Sequence, residues 1–202
     1  MKDTVIVFAR APRLGTVKRR LARDIGDRAA LRFYTATLTR LLWALARDRR
    51  FCTVLALTPD RARFRLPAYV ERIPQERGDL GERMHCACAR FRCGRVVIIG
   101  SDIPDATADD VAIAFRALGS ANAVFGPAAD GGYWLVGLGP RRPALPFTAV
   151  RWSSRHALED TLANFCAHRI ARLRMLNDVD NANDQSGFCI SRARRCRASE
   201  LQ

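Results

Sequence analysis

The sequence predicts an α/β fold in which a largely parallel sheet carries helices on both faces. Three observations point there. Short apolar runs with no polar side, Val5-Ile6-Val7-Phe8-Ala9 and Val96-Val97-Ile98-Ile99 foremost, have the pattern of strands buried on both faces. These runs alternate with stretches of helical periodicity, the βα alternation of a parallel sheet. The 202 residues hold no Ser/Gly/Pro-rich linker and suffice for one three-layer core. Residues 1–185 are therefore expected to form a single domain, followed by a polar, arginine-rich tail over 186–202.

Thr4 to Ala9 reads as the first strand. Arg10-Ala11-Pro12-Arg13-Leu14-Gly15-Thr16-Val17-Lys18-Arg19-Arg20-Leu21 follows, a loop with Pro and Gly that passes into a basic helix. Loop amides and cationic side chains hold phosphates in such a layout, although this is neither a Walker loop nor G-x-G-x-x-G. Lys2 and Lys18 are the only lysines in a chain otherwise basic through arginine. The compact ammonium of Lys18 is thus a candidate phosphate contact, against the plainer reading of a basic surface loop. Arg28 to Arg47 is a helix whose Leu31, Tyr34, Leu38, Leu42 and Leu45 recur at helical spacing and read as core.

Cys52 to Leu57 and Tyr69 to Ile73 are the second and third strands. Beyond them, Gln75 offers an amide suited to the edge of a base, and Gly78 permits close backbone approach to a ligand. Asp79 starts a helix over 80–91, with an N-cap as its structural role. The strand Val96 to Ile99 stops at Gly100-Ser101-Asp102, which puts a carboxylate where ligands bind in open α/β sheets. Asp102 is then either a metal or phosphate-site residue or a turn former, with Thr107-x-x-Asp110 capping the next helix.

Asp110 to Leu118 is a short helix and Ala121 to Phe125 a strand. Asp130-Gly131-Gly132-Tyr133 then turns back into the apolar Trp134-Leu135-Val136. This is a hairpin, or a hairpin whose backbone floors a second substrate's pocket beside Asp130 and Tyr133. Ser153 or Ser154 caps a helix over 155–166, and 172–176 is the last strand. Asn177-Asp178-Val179-Asp180 supplies a second acidic cluster directly after a strand. Asp102 with Asp180 is the pairing expected for a divalent cation, since magnesium takes one or two carboxylates with phosphate oxygens and water.

The formal charge of +14 raises anionic partners. Its arginines are scattered, and no aromatic-interleaved basic stripe or nucleic-acid motif accompanies them, so nucleic acid is not the expected partner. The first apolar run is too short for a signal segment, and no stretch approaches the roughly 20 apolar residues of a membrane helix. A cytoplasmic location is the expectation, with the seven cysteines reduced. Cys86 and Cys88, two apart on a helix, point to different faces and suit tetrahedral zinc poorly.

The ordered segments Phe8-Ala9-Arg10-Ala11-Pro12, Gly15-x-Val17-Lys18-x-Arg20-Leu21, Gly78-Asp79-Leu80-Gly81-Glu82-Arg83-Met84, Gly100-Ser101-Asp102-Ile103-Pro104, Asp130-Gly131-Gly132-Tyr133-Trp134-Leu135 and Asp178-Val179-Asp180 carry a family resemblance. Over residues 4–185 the chain resembles small bacterial glycosyltransferase-A-like proteins, provisionally named nucleotide-diphospho-sugar transferases, some of them arsenosugar-biosynthesis glycosyltransferases. It is more distantly similar to cofactor-biosynthesis guanylyltransferases.

The resemblance implies a three-layer α/β/α sandwich around a mixed, mostly parallel Rossmann-like sheet. It places Arg10, Lys18 and Arg20 on the nucleotide's phosphates, and Gln75 and Asp79 near the base or ribose. Asp102 and Asp180 would hold Mg²⁺ or Mn²⁺, with Asp130, Gly131, Gly132 and Tyr133 facing the acceptor or sugar. Where relatives have Lys-Thr-Arg this chain has Lys18-Arg19-Arg20, and Asn181-Ala182-Asn183 replaces their Thr-Pro-Glu.

The implied activity is metal-dependent transfer from a nucleotide-activated donor to a small-molecule acceptor, with Lys18, Asp102 and Asp130 as the catalytic candidates. Transfer of a sugar is the leading expectation and transfer of a nucleotidyl group the alternative. A nucleic-acid module and a nucleotide sensor without turnover are the competing classes.

Overall fold

The structure is a computed structural model describing residues 2–177. The elements in order are β1 (Thr4–Arg10), α1 (Arg19–Ile25), α2 (Asp27–Arg47), β2 (Cys52–Thr58), β3 (Glu71–Pro74), α3 (Leu80–Ala89), β4 (Val96–Gly100), α4 (Ala108–Ala117), β5 (Ala123–Pro127), β6 (Tyr133–Leu138), α5 (Ala157–Ala163) and β7 (Ile170–Arg172). The strands form one sheet of order β3-β2-β1-β4-β6-β5-β7. Neighbours pair in parallel except around β6, which runs antiparallel to both β4 and β5. The sheet is mixed and mostly parallel.

Alternation along the apolar strands builds two cores, one on each face. Val5, Val7, Leu55, Leu57, Val97 and Ile99 pack with Tyr34, Leu38, Leu42 and Leu45 of α2 and with Val111 and Phe115 of α4. Ile6, Val54, Ala56, Val96 and Ile98 point the other way, onto Met84 and Cys88 of α3 and onto Phe165. Strands covered on both faces need no polar side, which is why the runs read as uninterrupted apolar stretches. β1 lies between β2 and β4, in register with β2 from Thr4↔Cys52 to Arg10↔Thr58 and with β4 from Thr4↔Val96 to Phe8↔Gly100.

Several boundaries differ from the sequence reading, each for a local reason. The helix expected from Asp110 begins at Ala108, because Thr107 is its N-cap and Asp110 the reciprocal partner in a capping box. The helix expected over 155–166 is Ala157–Ala163, capped by His156 without a side-chain bond. Ser154 instead accepts from the His156 amide, while Ser153 and Ala149 take positive φ in the preceding turns. The last strand is Ile170–Arg172 rather than 172–176, because Asn122 clamps Arg169 through both its backbone amide and its side chain and so fixes the pairing early. The tail and the acidic cluster beyond Asn177 lie outside the described residues.

Candidate active site

A cleft of about 670 Å³ opens at the carboxyl ends of β1 and β4. This is the edge at which an open α/β sheet leaves room for ligands. Arg10, Lys18, Arg20, Gln75, Asp102, Asp130 and Tyr133, all singled out from sequence, line it, and so do Arg83, Trp152 and Ser101. Gly15, Gly78, Asp79, Gly131 and Gly132 are not among its lining residues.

At its centre Lys18 meets Asp102. The Lys18 Nζ lies 2.8 Å from Asp102 Oδ2, the lysine side chain being 4% exposed and the aspartate 36%. Lys18 precedes α1 in a left-handed conformation, φ 48 and ψ 47. The loop that opens with Arg10 thus turns back over the end of β4, uniting two segments far apart in sequence.

The floor beneath this pair comes from α2, which the sequence reading treated as core alone. The Tyr34 hydroxyl accepts from the Arg10 amide at 3.0 Å, donates to the Arg10 carbonyl at 2.9 Å and lies 3.0 Å from Ser101 Oγ. Burial pushes this phenol above its ordinary range and keeps it neutral, although the hydroxyl of Ser101 and the Arg10 backbone pull the other way. From the same helix, Arg40 donates to the Pro104 carbonyl. The end of β1 and the loop after β4 are therefore tied to one rigid helix. Tyr34 and Arg40 were missed because a tyrosine and an arginine at helical spacing look like packing and solvation.

Gln75 departs from its expected part. It is 2% exposed, and its Nε2 donates to the carbonyls of Ala9 and Ala56 at 2.9 and 2.7 Å. Both amide protons are thereby engaged with the ends of β1 and β2, leaving none to read a base. Its Oε1 accepts from Arg83 Nη1 at 2.9 Å, and Arg83 Nε donates to the Asp79 carbonyl. Gln75 thus aims a guanidinium, and Arg83 is the group it presents to the cleft. The spacing of Arg83 four residues after Asp79, on the first turn of a capped helix, was the available signal. Asp79 itself is the N-cap of α3, in a capping box with Glu82. Gly78, at φ +111, makes room for that box, since a Cβ there would overlap the Glu82 carboxylate.

On the other side of the cleft the chain turns from β5 into β6. Asp130 Oδ1 accepts from the Gly132 amide at 2.9 Å, an Asx turn that leaves the aspartate at the cleft. Gly131 has φ +85, and any side chain there would overlap the Arg155 backbone. The two glycines shape the turn between Asp130 and Tyr133, both of which line the cleft. Tyr133 packs edge-on against Trp152 and Phe125, and its hydroxyl meets Thr161 Oγ1 at 3.4 Å. Burial raises this phenol well above its ordinary value, so it faces the cleft as a neutral wall. Gly15 sits in an exposed turn at φ +72, with Thr16 donating to Arg13 behind it.

Asp180, the expected second carboxylate, lies outside the described residues. Among the described residues no three His, Cys, Asp or Glu side chains come together. The chemistry of Asp102 nonetheless suits a hard divalent cation. It is a carboxylate at a strand end, open to the cleft, and it already holds one cation, the Lys18 ammonium. A magnesium-type ion needs one or two such carboxylates when phosphates and water complete its shell. On α3, Cys86 is exposed and Cys88 buried, its thiol pushed up to about 12 by burial, so the two are not arranged as a ligand pair.

Among the described residues no helix is long and apolar enough to cross a membrane. A comparison with curated proteins finds no match. Among solved structures, the chain is similar to a protein from Desulfovibrio desulfuricans G20 provisionally named a nucleotide-diphospho-sugar transferase. The two share 29% identity over 90% of this chain and 84% of that one, with a TM-score of 0.83. Its fold is also that of Rv0371c from Mycobacterium tuberculosis H37Rv, solved in complex with manganese (19% identity, 92% of this chain, 97% of that one, TM-score 0.55). The 4-diphosphocytidyl-2C-methyl-D-erythritol synthase of Anaerococcus prevotii DSM 20548 shares it too (10% identity, 91% and 92% covered, TM-score 0.56). A family match covers residues 37–154, which include β4, the Asp130 turn and most of the cleft, and by that match the chain belongs to the DUF2064 family, described as uncharacterized proteins conserved in bacteria.

Proposed function

We propose that this chain is a metal-dependent transferase that moves a sugar from a nucleotide-diphospho-sugar to a small-molecule acceptor. The observation that carries the reading is the opposition of Lys18 and Asp102 at the joined ends of β1 and β4, in a cleft also lined by Arg10 and Arg20. The similarity to the Desulfovibrio protein supports the donor class. The manganese in a structure of the same fold supports the metal.

In this reading Asp102 and Asp180 hold Mg²⁺ or Mn²⁺, which when bound supplies positive charge to the departing diphosphate. Lys18, Arg10 and Arg20 neutralise the remaining phosphate oxygens, so that catalysis is mostly fixed electrostatics and positioning. Arg83, held by Gln75 and Asp79, binds the donor away from the reacting bond. Asp130, held by its own turn, accepts the proton of the acceptor hydroxyl, and Tyr133 with Trp152 walls off water on that side.

Nucleotidyl transfer is the second reading. Arg10, Lys18, Arg19 and Arg20 all line the cleft, and four cations suit a triphosphate better than a diphosphate. A thermal-shift screen of nucleoside triphosphates and nucleotide-sugars, with and without Mg²⁺ or Mn²⁺, on wild type and Asp102→Ala tests both. At about 100 times its dissociation constant a ligand of the folded state stabilises by roughly 2.7 kcal/mol. Metal-dependent stabilisation by one nucleotide-sugar, abolished in Asp102→Ala, is the expected result. A triphosphate winning moves the assignment to nucleotidyl transfer, and no metal-dependent shift overturns both readings.

A further inference from the structure

We infer that the end of the sheet opposite the candidate active site carries a second binding site, for a nucleoside monophosphate whose base stacks on exposed aromatic rings. This site shares no residue with the cleft and stands whatever the cleft transfers.

A cavity of about 650 Å³ lies where β1 and β2 begin and α2 ends, with Lys2, Trp43, Arg47, Arg49, Thr53 and Tyr69 on its walls. The seven residues of β1 separate it from the cleft, roughly 20 Å at about 3.3 Å per residue. Its aromatic walls face solvent, Trp43 being 45% exposed and Tyr69 96%. Tyr69 stands at the third position of the turn over 67–70, closed by the Val70 amide on the Pro67 carbonyl, and has φ 70. A left-handed backbone at that position favours glycine, so the tyrosine holds its ring at the cavity at a backbone cost that no packing inside the chain offsets. Trp43 is oriented by Arg47, whose guanidinium carbon lies 5.4 Å from the ring centroid.

The charge at this cavity is positive. Among the described residues Lys2, Arg47 and Arg49 form no ion pair. The one carboxylate lining the cavity, Asp48, is already held by Arg50 Nη2 at 2.6 Å. Thr53 lines the buried side, 5% exposed, and its Oγ1 has no hydrogen-bond partner. Neither the sheet nor α2 satisfies that hydroxyl, which leaves it to a ligand or to water that a ligand orders. Flat rings and three cations are complementary to a molecule planar at one end and anionic at the other, and the volume suits a small ligand. A nucleoside monophosphate has both ends, its base against Trp43 and Tyr69 and its phosphate on Lys2, Arg47 and Arg49.

The test is equilibrium dialysis of the full chain against AMP, GMP, CMP and UMP in turn, with EDTA present to keep divalent metal from the cleft. At least one is expected to bind with a dissociation constant below about 1 mM. Trp43→Ser and Tyr69→Ser change exposed side chains, and thermal unfolding checks that both variants are folded. Each should weaken binding at least about tenfold, the worth of one stacked base. Arg47→Gln should weaken it at least about threefold. The cleft variants Arg20→Gln and Asp102→Asn should change it by less than about twofold, as distant sites do.

Cys52, exposed at the same cavity, gives a reading without substitution. The bound nucleotide should slow its alkylation, followed by peptide mass spectrometry, at least about threefold more than that of the exposed Cys86 and Cys93. No nucleotide bound below about 1 mM, or binding that the cleft variants weaken and the two serine variants do not, overturns the inference. Unslowed Cys52 alkylation at saturation overturns it as well. So does a single-stranded RNA of about eight nucleotides that binds at least about tenfold more tightly than its monomer, which would make this a nucleic-acid surface.

Discussion

The hydroxyl of Tyr34 and the Oγ of Ser101, 67 residues apart in sequence, lie 3.0 Å from each other beneath the Lys18–Asp102 pair. The same hydroxyl holds both backbone groups of Arg10. One side chain on α2 thus joins the ends of the two strands that carry the candidate site. Tyr34→Phe keeps the ring in the core and deletes the junction, leaving the Arg10 amide without its partner. It is expected to cost about 1–3 kcal/mol, the penalty of an unsatisfied buried group, measured by urea denaturation. A loss under about 0.5 kcal/mol would show that the strand ends hold themselves.

Gln75 and Arg83 should separate stability from binding. Gln75→Leu strips the Ala9 and Ala56 carbonyls of their donor and releases Arg83, so both stability and ligand affinity should fall. Arg83→Met keeps most of the side-chain length but takes the donor from the buried Gln75 Oε1, so it should cost about 1 kcal/mol of stability, less than Gln75→Leu, which deletes two strand-end bonds. Titration with the nucleotide found by thermal shift should show its affinity falling by about tenfold, the value of a lost charge-assisted bond. Equal affinity in wild type and Arg83→Met would remove the arginine from the site.

Asp110 predicts an acid limb of stability. Burial would raise its carboxyl, but Arg174 and Thr107 more than offset this and hold it below the ordinary value. A carboxylate whose folded-state value is depressed contributes stability above its unfolded value, about 3.9, and loses it as pH falls toward the folded value. Stability measured by denaturation should fall as pH drops below about 4, and Asp110→Asn should flatten that fall while lowering stability at pH 7. An unchanged acid limb in Asp110→Asn would assign the loss to other carboxylates.

Gly131→Ala tests the hairpin turn. Its left-handed backbone and the close Arg155 backbone leave no room for a methyl group. About 1–3 kcal/mol of destabilisation is expected, with Asp130 displaced from the cleft and turnover reduced. Unchanged turnover in a folded Gly131→Ala protein would argue against Asp130 as the base.

The parallel core was legible because its strands are covered on both faces and carry no polar residues to blur the pattern. The structure brings Lys18 and Asp102 into one cleft, Asp102 because it stands just past an apolar strand and Lys18 because it closes the basic loop that leads from β1 into α1. What the sequence hid was pairing. Gln75 looked like a ligand reader because its amide can donate and accept, and nothing along the chain reveals that two strand carbonyls already take both protons. Tyr34 looked like core because it is core, and its hydroxyl acts only through partners 24 and 67 residues away. The last strand was misplaced because its position is set by Asn122, on the far side of a hairpin and a helix.

Among the described residues β6 is the one reversed strand, and under the proposed transferase reading its direction bears on how the acceptor could change. Because β6 runs against β4 and β5, the connection carrying Asp130 returns to the same edge as Lys18 and Asp102. It forms a short hairpin rather than a helical crossover. A hairpin tip can be lengthened or exchanged without moving the strands behind it. The donor half would stay as a fixed chassis while a cassette of a few residues is rewritten, and exchanging residues 128–132 between homologues should transplant acceptor preference and leave donor preference in place.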